Sequence, residues 1–101
     1  IIQISSTGAL RPQPAYAPYA AAKSALNTAS IAFAKEFAPR VRVNVISPGS
    51  FETDISAGWQ DREALQQRVG LKRFGDPREI VATALYLAGD TASYTTGANI
   101  V

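Results

Sequence analysis

Hydrophobic positions along the chain fall into runs of two different periods. Residues 1–6 (IIQISS) set β-branched Ile1, Ile2 and Ile4 almost side by side, the pattern of a strand buried on both faces. Residues 7–18 hold one glycine and three prolines and read as loop. From 19 to 38 the period becomes helical: Ala22, Leu26, Ala29, Phe33 and Phe37 recur on one side, Pro18 suits a first turn, and Pro39 ends the run. Much of the remaining surface here is alanine (Ala20, Ala21, Ala25, Ala32, Ala34 and Ala38), so the helix is apolar nearly all round. That predicts burial on two sides, one against a sheet and one against a neighbouring helix or subunit. Residues 41–46 (VRVNVI) read as a second buried strand, stopped by Pro48-Gly49. Strand, helix and strand make one βαβ crossover, which implies parallel strands.

The second half has weaker periodicity. Residues 50–75 form a long excursion with a short helical piece near 61–69, and connections of this length serve as lids or binding loops. Asp76-Pro77-Arg78-Glu79 is a helix start: Asp76 caps, Pro77 takes the first helical position, and Glu79 completes a capping-box pattern. Ile80, Val81, Ala84, Leu85, Leu87 and Ala88 supply a buried face, and Gly89 ends the helix. A turn over 91–97 leads into a third strand from Ala98.

Composition narrows the chemistry. A chain of 101 residues with 47% hydrophobic and 18% charged positions fits one globular domain or part of one. It holds no methionine and begins Ile1-Ile2, like the inside of a strand, so it is expected to be a piece of a longer protein. The absence of cysteine excludes a disulfide frame, a thiol nucleophile and a thiolate metal site, and agrees with a cytoplasmic setting. The absence of histidine excludes a Ser–His–Asp triad within the chain. Net charge is +2, and Arg68, Lys72, Arg73 and Arg78 form a solvated face without interleaved aromatic residues. No nucleic-acid or membrane partner and no metal are expected.

Acid–base work must then use Tyr, Lys, Asp or Glu. Tyr19 and Lys23 lie one turn apart on one helix face. An ammonium beside a phenol favours the phenolate, which gives a proton donor without histidine. Taken alone, such a pair is also an ordinary surface feature. Its place adds weight: the helix follows a strand that ends in Ser5-Ser6, and open parallel α/β sheets bind ligands beyond the C-terminal ends of their strands. Alternation lets only one of the two serines face such a site, while turn chemistry is their plainer use.

Ser6, Tyr19-Ala20-Ala21-Ala22-Lys23 and Asn44-Val45-Ile46-Ser47-Pro48-Gly49, in this order and spacing, resemble the short-chain dehydrogenase/reductase family. The resemblance continues through Thr53, Arg73–Ile80 and Ala92–Gly97, and so covers essentially the whole chain. It implies an α/β fold, the C-terminal portion of a Rossmann-like doubly wound parallel sheet, with residues 1–101 as the catalytic half of an NAD(P)-binding domain. It implies that the Gly-rich dinucleotide turn and the catalytic Asn of the family lie outside these residues. By the same resemblance Tyr19 is the catalytic acid–base, Lys23 assists it and holds the nicotinamide ribose, and Ser6 polarises the carbonyl. Pro48, Gly49 and the backbone near Phe51 hold the nicotinamide ring, and Thr53 bonds its carboxamide or a phosphate. Position 51 is often aliphatic in the family, so Phe51 is a departure that bears on pocket shape. The implied reaction interconverts a ketone and an alcohol with NAD or NADP. Leu10, Pro12, Tyr16, Phe51 and Trp59 are expected around the substrate, and helix 19–38 is the expected interface of a homodimer or homotetramer. The isolated residues are expected to lack turnover, and the alternative reading is a truncated remnant that serves only as a structural or interaction module. Their first strand presents a bare apolar edge, a predicted aggregation site.

Overall fold

Three short parallel strands in the order β1-β2-β3 form the single sheet of the computed structural model, which describes residues 1–101. They are β1 (Ile2–Ile4), β2 (Asn44–Ile46) and β3 (Asn99–Ile100). Helix α1 (Ala17–Phe37) crosses from β1 to β2. Two short helices, α2 (Asp54–Ala57) and α3 (Arg62–Arg68), occupy the long excursion, and α4 (Val81–Ala88) precedes β3. The predicted α/β architecture with parallel strands is present, and α2 is the helix that periodicity did not predict, being only four residues long.

The register sets Ile2 opposite Asn44, Ile4 opposite Ile46, and Ile46 opposite Ile100. The strands are shorter than the apolar runs, although pairing reaches past their ends. Ser5 N donates to Ile46 O at 2.8 Å and Thr7 N to Pro48 O at 2.9 Å, so the chain stays in step up to the loops. At the other end Val43 N donates to the Thr96 hydroxyl, at 3.1 Å, instead of to a strand carbonyl, so the β2 ladder starts at Asn44. Val43, Val45 and Ile46 are fully buried, each contributing about 2 kcal/mol through lost water contact.

Helix α1 differs from the predicted pattern. Its buried residues are Ala20, Ser30 and Ala34, with the Ser30 hydroxyl satisfied by Leu26 O at 2.8 Å. Small side chains, not the bulky stripe, let the helix lie close against β2. Phe33 and Phe37 stack on each other at 5.5 Å and stay 41% and 37% exposed. The larger residues therefore face away from the core, and one side of α1 is unpartnered within the chain.

The predicted helix start at Asp76 is present, with one difference. Asp76 accepts from Arg78 N at 2.8 Å and Glu79 accepts from Asp76 N at 2.7 Å, which completes the reciprocal cap. The first turn, Pro77–Ile80, is a 3₁₀ turn that passes directly into α4. Gly89 ends α4 as expected, its N–H donating to Leu85 O at 2.9 Å.

Candidate functional site

The C-terminal ends of β1 and β2 bring the sequence-selected residues to one edge of the sheet. Ser6 leaves β1 and caps the 3₁₀ turn Thr7–Ala9, its hydroxyl accepting from Gly8 N at 3.0 Å. Pro18 opens α1, which places Tyr19 in the first turn, 50% exposed and reachable by a ligand. A methyl group at residue 8 would lie 3.3 Å from the Ser6 hydroxyl and 3.6 Å from the Tyr19 ring. The two side chains thus flank one small space over Gly8, and glycine keeps that space open. Ser24 ties α1 to this turn by donating to Ala9 O at 2.9 Å.

Ser5 and Ser6 have separate places. Ser5 is buried and its hydroxyl donates to Lys23 O at 3.3 Å, while Ser6 is half-buried beside Tyr19. Lys23 is also half-buried, with Nζ 5.9 Å from the centroid of the Tyr19 ring. Its ammonium donates to Ile4 O at 2.8 Å. Ile1 O and Ser5 N bond toward β2, so by alternation the Ile4 carbonyl faces the open edge of β1 and needs another donor. Lys23 supplies it.

The second part of the site follows β2. The bond from Thr7 N to Pro48 O joins it to the Ser6 turn. Gly49 is exposed, and a methyl group there would meet nothing nearer than Thr7 at 4.0 Å, so a flat group can approach its backbone. A cleft of about 150 Å³ opens here, its walls including Ser47, Pro48, Gly49, Phe51, Glu79 and Thr83. Thr53 sits at the start of α2, exposed, and Ser56 takes over the local capping by accepting from Thr53 N at 2.9 Å. The donors and backbone surfaces at this edge, an ammonium, two hydroxyls and the open Pro48-Gly49 face, fit a dinucleotide ending in a flat ring and a diol.

The excursion 52–74 has a core of its own. Trp59 packs edge-on against the buried Phe74 at 5.4 Å, and the Arg62 guanidinium lies 5.2 Å above the same ring. Arg62 also donates to Ser56 O and to the Glu52 carboxylate. The expected apolar pocket is not assembled as a set. Phe51 lines the cleft, Trp59 is engaged with Phe74, and Leu10 and Tyr16 project into solvent. The excursion is mostly polar yet encloses one aromatic residue, Phe74, and sequence alone does not say which aromatic that is.

Glu79 was selected only as a cap, yet it lines the cleft and takes the Arg73 guanidinium in a two-point pair, 2.7 Å on each side. Arg73 holds the Glu79 carboxyl down at about 2, helped by the Asp76 N–H. Arg78 does the same for Asp76, also at about 2. Phe51 and Gly75 form a parallel bridge that closes the neck of the excursion. No spacing rule pointed to Gly8, Gly75 or Thr83.

Comparison with known proteins gives a family model, described as enoyl-(acyl carrier protein) reductase, that matches residues 1–101. The acetoacetyl-CoA reductase of Allochromatium vinosum is 40% identical over 103 residues, covering 99% of this chain and 42% of that protein. A short-chain dehydrogenase/reductase (glucose/ribitol dehydrogenase) from Brucella melitensis superposes with a TM-score of 0.92 at 33% identity, covering 99% of this chain and 42% of that one. The 3-ketoacyl-(acyl-carrier-protein) reductase of Brucella melitensis, in complex with NADH, gives 0.90 at 30% identity, with 99% and 40% covered. The chain therefore spans about two fifths of the length of the relatives it matches.

Proposed function

The chain belongs to the short-chain dehydrogenase/reductase family of oxidoreductases, and on that premise we propose that the whole protein interconverts a ketone and an alcohol with NAD or NADP. The observation that carries this reading is the shared space over Gly8, flanked by the Ser6 hydroxyl and the Tyr19 ring with the Lys23 ammonium one turn along. The NADH complex of the Brucella melitensis ketoacyl reductase supports the cofactor class.

A nicotinamide, when bound, would supply the hydride. Tyr19 gives a proton to the substrate oxygen during reduction and takes it back during oxidation, at its phenolic oxygen. Ser6 donates a hydrogen bond to that oxygen and orients the carbonyl. To do so its hydroxyl keeps the Gly8 N–H as donor to one lone pair and turns its own proton outward. Lys23 holds ribose hydroxyls and favours the phenolate form through its charge. Pro48, Gly49 and Phe51 give the ring a flat apolar wall, and Thr53 offers a hydroxyl to its carboxamide or to a phosphate.

The test is turnover by full-length protein carrying these residues, with NADH or NADPH and a panel of ketones. Tyr19→Phe is expected to lower turnover by about a thousandfold, mid-range for one acid–base group, and to leave cofactor affinity within a factor of two or so. Unchanged turnover in Tyr19→Phe would refute the mechanism.

Two further parts of the reading concern assembly. The stacked, exposed Phe33 and Phe37 support α1 as the contact of a homodimer or homotetramer. The open edge of β1 and the two-fifths coverage support a second reading for the 101 residues alone, a folding and interaction module without turnover. No helix is long and apolar enough to cross a membrane.

A further inference from the structure

We propose that Gly75 is a positioning residue for the ring of Phe51, and through it sets the width of the cleft beside Pro48 and Gly49. The bridge between the two residues is backbone-made: Gly75 N donates to Ser50 O and Glu52 N donates to Gly75 O, each at 2.9 Å. These bonds fix how close the two main chains come. A methyl group at position 75 would then stand 2.6, 2.8 and 3.0 Å from three carbons of the Phe51 ring. The ring rests directly on the glycine backbone and leaves no room for a side chain.

Phe51 lines the cleft and Gly75 does not, so the ring separates Gly75 from the open space. A side chain at 75 displaces the ring from this seat, and the cleft it lines is the open space on its path. Arg73 and Glu79 hold the other side of the neck by their two-point pair, so the backbone at 75 cannot retreat easily. A phenyl ring is also the side chain for which this device matters. It is rigid and flat, and its position is set by whatever lies under it. The ligand it gauges is a flat aromatic ring stacked on the Pro48-Gly49 wall, which rests on the dinucleotide reading above.

Nuclear Overhauser contacts in the full chain read the ring directly. In Gly75→Ala the Phe51 ring is expected to strengthen its contacts to the methyl groups of Ile80 and Thr83, two other lining residues. Unchanged contacts in a folded Gly75→Ala chain overturn the proposal. If Gly75→Ala does not fold, Gly75→Ala with Phe51→Leu is expected to restore folding, and failure of that pair to fold also overturns it. In full-length protein, NADH affinity followed by its fluorescence should weaken about tenfold in Gly75→Ala, as overpacking costs, and recover in the pair. Affinity untouched while the ring has moved would count against a gauging role. Absence of NADH binding by the parent would sink the dinucleotide reading alone, because the Overhauser contacts still decide whether Gly75 places the ring.

Discussion

Asn44 shows how one buried amide can hold two strands together. It is 1% exposed, its Nδ2 donates to Thr95 O at 2.9 Å and its Oδ1 accepts from Ala98 N at 3.0 Å. These bonds align the segment that becomes β3 with β2, and so place Ile100 at the cleft. Arg42 works nearby, donating to Thr95 O and Gly89 O. Asn44→Leu leaves the half-buried Ala98 N–H without its partner and leaves Thr95 O to the Arg42 guanidinium alone, and is expected to cost about 2 kcal/mol. Urea unfolding followed through Trp59, the sole tryptophan, measures it, and a loss under about 0.5 kcal/mol would show that water replaces the amide. The proximity of the candidates was legible because Tyr19, Lys23 and Ser6 occur with Pro48-Gly49 in a family order. Glu79 was legible only as a cap. Its pairing with Arg73 depends on a six-residue return of the backbone, which spacing does not report.

Among the elements, the neck at 73–79 is the part with a stated pH response. Glu79 and Asp76 titrate at about 2 in the folded chain, against roughly 4 for free carboxyls. Folded values below the free values mean that the pairs favour the folded neck above about pH 4 and lose that contribution as pH falls toward 2. Both carboxylates are partly exposed and screened, so the effect is local, not global unfolding. Amide exchange at Gly75 and Asp76, compared at pH about 5 and about 2.5 after correction for intrinsic rates, is expected to show faster opening at the lower value. Equal protection would place the stability of the neck in the Phe51 bridge alone. Helix α1 teaches a different lesson. Its period and boundaries are visible in the sequence, but an apolar surface nearly all round does not say which side lies on the sheet. Alanine and serine offer little apolar surface, but they allow the backbone to approach β2, and close approach won over side-chain size.

For the whole molecule the open edge of β1 matters most. Ile4 is 51% exposed and its edge-facing carbonyl is met by Lys23. An apolar strand edge with one long cation beside it invites pairing with another chain. The isolated chain is expected to self-associate with rising concentration, and Ile4→Lys is expected to reduce this, as read by light scattering. Equal scattering in both would move the contact elsewhere, the exposed Phe33 and Phe37 of α1 being the next surface to change. A second expectation at this scale concerns the ligand. Titration of the isolated chain with NADPH should give no saturable change in fluorescence, since one wall of a dinucleotide site binds weakly. A tight, saturable change would show that residues 1–101 suffice.

The sequence by itself determined the α/β class, the parallel run of the strands and the reciprocal cap at Asp76, and it marked Ser6, Tyr19 and Lys23 as candidates that the fold brings to one edge of the sheet. Each of these rests on local spacing: period two or 3.6, proline and glycine stops, and motif residues at fixed intervals. Only the tertiary structure decided which face of α1 is buried, that the aromatic residues of the excursion pack among themselves, and that Gly75 lies under Phe51. Those depend on contacts between residues distant along the chain, where small differences in backbone approach choose the partner and leave no periodic mark.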